Sequence, residues 1–158
     1  MEVTQITKTI VGIVALSIIL SGGTIPDKWF DMFGSPSKQD VQSLGGVMTI
    51  ENKDNGDKCL LLTGSVVLNR VYRKSWKGDT IDEIITTKGQ YANVTVNGYK
   101  TVKVPKRIKM LAKYLLIFGP ICPSNVVYQS KNSKLGSGLY DKVPTPNEKI
   151  KYEYFCYE

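Results

Sequence analysis

A chain of 158 residues, 42% apolar and 22% charged, is sized for one globular domain burying about two-thirds of its unfolded surface. Its net charge of +7 suits a polyanionic partner such as nucleic acid, anionic lipid or an acidic cell wall, but the lysines are scattered and no RNA-binding signature appears, so nucleic acid is not expected. With no histidine and no CxxC pair among three cysteines, histidine triads and histidine-containing zinc sites are excluded, no metal or cofactor is expected, and any catalysis rests on carboxylates, tyrosines, hydroxyls or amides.

In chain order, a short lead with Glu2 and Lys8 precedes an unbroken apolar run over residues 10–20 and then Ser21-Gly22-Gly23. The run is too short to span a hydrocarbon core comfortably. Residues 1–23 read as a secretory signal peptide with small residues for cleavage near Gly23. A membrane anchor through residues 10–20 and a buried core helix are the alternatives. Residues 24–39 read as a linker with an aromatic anchor at Trp29 and Phe30.

Residues 40–51 predict a helix capped by Asp40, with Val41, Leu44, Val47 and Met48 in amphipathic rhythm. Gly45 and Gly46 inside it cost on the order of 1 kcal/mol each relative to alanine, a cost that close approach of another backbone would explain. Glu51 lies seven residues beyond Leu44 and so projects from nearly the core-facing side. The negative end of the helix dipole and partial burial would both disfavour its charged form, the setting a general acid needs. An ordinary solvated glutamate at a fraying helix end is the plainer alternative.

The polar run over residues 52–56 opens a loop, and Asp57 can cap a second helix reaching about Arg73. Leu60, Val67 and Val71 share a stripe with Cys59, Thr63 and Val66 beside it. A segment apolar almost all round is expected to be the central buried helix, with Cys59 a buried thiol and Asn69 and Arg70 in need of hydrogen-bond partners. A turn is expected over residues 76–79. Thr80 and Glu83 then have capping-box spacing before a short helix. Gly89-Gln90-Tyr91 reads as a loop, and residues 93–104 as a β-hairpin turning at Asn97-Gly98.

Pro105 opens another helix and Gly119-Pro120 closes it. Ile108, Leu111, Ala112, Leu115 and Phe118 form its core stripe, while Lys106, Lys109 and Lys113 face water. Residues 126–129 read as a short buried strand, and Gly136-Ser137-Gly138 as a flexible lead to Tyr140. The last segment reads as a terminal strand with Tyr152, Tyr154 and Cys156 on one face. Cys122 and Cys156 could pair in an oxidising compartment.

The block Gly64-Ser65-Val66-Val67-Leu68-Asn69-Arg70-Val71, with Glu51 eighteen residues before Asn69, resembles the SleB-type cell wall hydrolases, a family that includes spore cortex-lytic enzymes. Gly89-Gln90-Tyr91 resembles that family's Gly-Gln-Phe. Val126-Val127-Tyr128-Gln129-Ser130, Gly136-Ser137-Gly138-Leu139-Tyr140 and Tyr154-Phe155-Cys156-Tyr157 resemble its C-terminal blocks. The resemblance covers residues 40–158. It implies an α+β, mainly helical, lysozyme-like domain of the goose-lysozyme or lytic-transglycosylase kind, here with the small hairpin. Its partner would be peptidoglycan, and its location secreted or membrane-anchored. The protein is expected to be a monomer.

The family's catalytic residue carries over to Glu51. Asn52 replaces the usual alanine, and Asn55 stands where a second glutamate often lies. A lytic transglycosylase needs one carboxyl, which would protonate the oxygen joining N-acetylmuramic acid to N-acetylglucosamine and then accept the muramoyl C6 hydroxyl proton as an anhydro ring closes. Muramidase-type hydrolysis would need a second carboxylate, for which Asp54 and Asp57 are near in sequence. A wall-binding module without turnover is the other alternative. Gln90, Tyr91, Tyr128, Gln129 and Tyr140 are the expected glycan-groove residues, because sugars offer hydroxyls and amides to bond and apolar faces to stack. Each taken alone reads equally well as scaffold.

Overall fold

The computed structural model describes residues 4–158 apart from 74, 75, 77 and 132. Glu2 of the lead and Lys77 of the turn expected over residues 76–79 lie outside the described residues. The architecture is α+β, about half helical, with one small antiparallel sheet at the C-terminal end.

The central element is α4 (Asp57–Tyr72), buried continuously from Cys59 to Arg70. It is apolar on all sides because it separates two cores. Leu60, Leu61, Val67 and Leu68 join the helical core, while Cys59, Leu62 and Val66 join a second core with Val126, Val143 and Phe155 of the sheet. Each such side chain contributes about 1.5–3 kcal/mol when fully buried. On the helical side, α3 (Lys38–Asn52) and α7 (Lys106–Phe118) pack against α4. The close approach of α4 to α7 depends on Gly64, where a Cβ would overlap Leu115.

Helix α3 begins one turn earlier than its sequence suggests. Ser37, not Asp40, is the N-cap, and its hydroxyl accepts the Asp40 amide at 3.0 Å. Gly46 serves the expected close approach of another backbone, since a Cβ there would overlap the carbonyl oxygen of Tyr99, whereas Gly45 makes room for the Val104 side chain. Gly56, not Asp57, precedes α4, and Asp57 instead pairs with Arg107. The capping box of α5 (Ile81–Thr86) forms as expected from Thr80 and Glu83.

The expected β-hairpin over residues 93–104 is not there. A one-turn helix, α6 (Ala92–Val96), and a turn occupy it. Tyr91 and Val94, three apart, are both buried, whereas Val96 is 85% exposed, which is helical rather than alternating burial. The Asn97 amide donates to the Asn93 carbonyl at 2.7 Å, closing the helix from its C-terminal end. Packing against Gly46 of α3 outweighs the local Asn-Gly hairpin preference.

The sheet runs β1 (Val126–Ser130), β3 (Tyr152–Tyr157), β2 (Gly138–Pro144), all antiparallel. The strand β2 was read from sequence only as a flexible lead. In β3 Glu153, Phe155 and Cys156 are buried, while Tyr152 and Tyr154 are half-buried and pack edge-on at 6.5 Å. The register of β3 shifts against both neighbours, with the extra residue on β1 and on β2, and Cys156 is buried on the face opposite Phe155, where its sulfur accepts from the Leu135 amide. Cys59, Cys122 and Cys156 are free thiols, so the pairing of Cys122 with Cys156 is absent. Burial pushes the Cys59 thiol up to about 12.

Helix α1 (Gln5–Leu20) lies on α7 through Gly12, Ala15 and Ile19, with the Tyr114 hydroxyl donating to the Gly12 carbonyl at 3.2 Å. Its other face exposes Ile6, Ile10 and Ile13. Among the described residues, no helix is long and apolar enough to cross a membrane. Between α1 and α3, α2 (Asp27–Asp31) inserts Phe30 into the core, whereas Trp29 stays at the surface.

Candidate functional site

The end of α3, the end of β1 and the start of β3 meet around two neighbouring cavities. A cleft of about 180 Å³ is lined by Glu51, Arg70, Gln90, Tyr91, Gln129 and Glu153, among others. A wider cavity of about 410 Å³ runs past Asn52, Asp54, Thr145, Asn147 and Ile150. Glu51, Lys131 and Glu153 line both, so these three side chains form the wall between the two spaces.

Beside Glu51 a polar chain runs from the loop after α3 into α4. The Asn55 amide donates to the Asn52 side-chain oxygen at 2.6 Å, the Asn52 amide donates to the Thr63 hydroxyl at 2.7 Å, and that hydroxyl donates to the Cys59 carbonyl at 2.9 Å. Asn52 and Asn55 are thus successive links in one chain. Next to them the Lys131 ammonium pairs with the Glu51 carboxylate at 2.9 Å and also reaches its backbone carbonyl. Only 16% of the Glu51 side chain is exposed.

Glu153 is the residue that sequence reasoning missed. It is 1% exposed, on the same face of β3 as Phe155. Gln129 lies opposite Phe155 on β1, and its amide donates to Glu153 Oε1 at 2.7 Å. The other oxygen, Oε2, is buried and has no hydrogen-bond partner among the described residues. Burial pushes the Glu153 carboxyl above the usual carboxylate range, and the neighbouring Glu51 charge adds to this, while Gln129, Lys131 and Asn52 oppose it. The available signal was a lone charge between Tyr152 and Tyr154: on a half-buried strand, an acidic residue in phase with the inward phenylalanine has to face something polar.

Arg70 and Tyr91 form the far side of the cleft. The guanidinium stacks between the rings of Trp76 and Tyr91, at 4.3 and 5.0 Å, and donates from Nε to the Val127 carbonyl. Its Nη1 is buried without a partner among the described residues, as are the Tyr91 hydroxyl and Gln129 Oε1. Burial raises the Tyr91 phenol, so it stays protonated. The cleft therefore gathers four buried, unsatisfied polar atoms: a carboxyl oxygen, an amide oxygen, a guanidinium nitrogen and a phenol. Such groups are costly unless something completes them, and a polyhydroxy, amide-bearing ligand has the matching donors and acceptors.

Of the expected groove residues, the fold brings Gln90, Tyr91 and Gln129 together with Glu51. Tyr128 and Tyr140 do not line the cleft. Tyr128 packs edge-on against Trp76 at 6.0 Å and so supports the ring covering Arg70. Tyr140 packs edge-on against Tyr157. Asp54 lines the wider cavity, whereas Asp57 is engaged by Arg107. Asn69, placed by sequence in a buried setting, donates to the carbonyls of Pro123 and Val126 and ties α4 to the start of β1. Among the described residues, no cluster of cysteine and carboxylate side chains could hold a metal ion. No family model, curated protein or solved structure matches this chain.

Proposed function

We propose that the protein cleaves peptidoglycan glycan strands at the bond between N-acetylmuramic acid and N-acetylglucosamine, within a lysozyme-like domain that acts outside the cytoplasm. The observation that carries this reading is the position of Glu51 on the wall between two cavities. A sugar unit in each cavity would leave the glycosidic oxygen over that wall, beside a carboxyl group. The sequence blocks shared with the SleB-type hydrolases support the same assignment, since Glu51 stands at the family's catalytic position.

The unsatisfied polar atoms of Arg70, Tyr91 and Gln129 fit a carbohydrate better than an apolar ligand. The net charge of +7 holds the protein near an anionic wall and adds local concentration without specificity.

The test is digestion of purified peptidoglycan by the full chain, with the soluble products analysed by mass spectrometry. Release of muropeptides that stops with Glu51→Gln is the expected result. Sedimentation of the protein with the wall and no released fragments would make it a binding module instead.

A further inference from the structure

Two carboxyl groups stand on the wall between the cavities, and their surroundings differ. Glu51 is paired with Lys131. Glu153 has no ion pair among the described residues, is almost wholly buried, and keeps Oε2 free while Gln129 fixes Oε1. The titratable and charged groups around Glu153 are Glu51 from α3, Lys53 and Asp54 from the loop after it, Cys59 and Arg70 from α4, and Lys131 from the segment after β1. Lys131 is taken up by Glu51, and the guanidinium of Arg70 is taken up by Val127, Trp76 and Tyr91. Paired acids kept in opposite environments are the usual basis for dividing acid and base roles.

We infer that Glu153 gives the proton to the leaving sugar, while the ion-paired Glu51 takes one from an attacking water, so that cleavage is hydrolytic. This deepens the glycan-cleavage reading and rests on it. In the step, the Glu153 carboxyl proton passes to the glycosidic oxygen as the bond from that oxygen to the anomeric carbon breaks. The water oxygen bonds to the anomeric carbon, and its proton goes to Glu51. One water is consumed, and the products are a free hydroxyl on one sugar and a reducing hemiacetal on the other. Proton exchange with solvent then returns both carboxyl groups to their starting states.

The experiment compares the full-length wild type with Glu153→Gln and Glu51→Gln on two substrates. One is peptidoglycan in water enriched in oxygen-18. The other is a dinitrophenyl glycoside of an N-acetylglucosaminyl-N-acetylmuramic acid disaccharide, whose leaving group needs no proton. Wild type should give reducing ends carrying the label. Glu153→Gln should lose about 10²–10⁴-fold on peptidoglycan but less than about 10-fold on the activated glycoside, because only the former needs a general acid. It should also lose the alkaline limb of the pH profile, and Glu51→Gln should fail on both substrates. Gln129→Met, which keeps the acid but removes a hydrogen bond to its ionised form, should move that limb to higher pH.

Full activity of Glu153→Gln on peptidoglycan would overturn the inference, as would equal losses on both substrates or anhydro-muramyl ends from the wild type. Each of those leaves glycan cleavage standing. A wild type that cleaves neither substrate removes the cleavage reading and this inference with it.

Discussion

The Lys131 ammonium lies 2.9 Å from the Glu51 carboxylate and closes one side of the wall on which Glu153 also sits. About a third of the Lys131 side chain is exposed, so the pair adds little to folding, on the order of 1 kcal/mol or less. Its larger effect is on the site. Lys131 opposes the upward displacement of the Glu153 carboxyl, so removing the ammonium raises that carboxyl further. Lys131→Met is expected to leave the urea midpoint nearly unchanged, to move the alkaline limb of the glycan-cleavage pH profile upward, and to slow turnover. A pH profile that coincides with wild type would separate Lys131 from the chemistry.

Gly46 makes a prediction whose sign is opposite to helix propensity. Glycine to alanine in a helix interior ordinarily gains about 1 kcal/mol. Here the added methyl would overlap the Tyr99 carbonyl oxygen, which is backbone and cannot rotate away. Gly46→Ala should therefore destabilise by about 1–3 kcal/mol, the scale of overpacking in a close-packed interior. It should also reduce cleavage, because α3 carries Glu51 at its C-terminal end. Urea unfolding of the purified variant checks the first effect, and the peptidoglycan assay checks the second.

The parts of the fold visible in the sequence are those whose periodicity coincides with burial. The all-round apolar stretch of α4 could only be a central helix, and the stripe of α7 could only face inward. The phase of Glu51 with Leu44 places it on the core-facing side of α3, and its side chain is 16% exposed there. The region around Tyr91 was misread because Asn97-Gly98 favours a hairpin locally, while the contact that decides the matter, Tyr99 against Gly46, is remote in sequence. Glu153 was invisible for a related reason. Its importance comes from Gln129 and Glu51, which lie on other elements, and the alternating tyrosines around it suggested the opposite face of the strand. Side chains that act through neighbours on one helix can be read from spacing, whereas those that act across elements need the register.

Asn55 tests whether the loop after α3 can carry a glutamate at its polar link to α4. The Asn55 amide donates to the Asn52 side-chain oxygen at 2.6 Å, and Asn52 in turn donates to Thr63. A glutamate at that position when ionised has no proton to donate, and it would set a carboxylate against the Asn52 oxygen. Asn55→Glu should destabilise by about 1–3 kcal/mol, the usual cost of leaving a buried polar group unsatisfied. It should reduce glycan cleavage rather than raise it. Higher activity with unchanged thermal stability would show instead that the loop after α3 rearranges to accept the carboxylate.

The buried carboxyl of Glu153 also leaves a signature in stability that requires no turnover. Its folded value is raised above the ordinary glutamate value of about 4.3. At a pH between those two values the native state holds a proton that the unfolded chain has released, so stability falls as pH rises through the window. Below the unfolded value the contribution is fully present, and it is lost as pH passes the folded value. Glu153→Gln keeps the shape and still accepts the Gln129 hydrogen bond through its carbonyl, but it cannot ionise. Near pH 4 the variant and wild type should therefore unfold at similar urea concentrations. Towards pH 8 the variant should become the more stable of the two, by on the order of 1–3 kcal/mol, because wild type then buries an ionised oxygen without a partner. Urea titrations at several pH values between 4 and 8 measure the difference directly. A gap that stays constant with pH would mean that Glu153 is already ionised in the folded state, and the proton needed by a general acid would not be there.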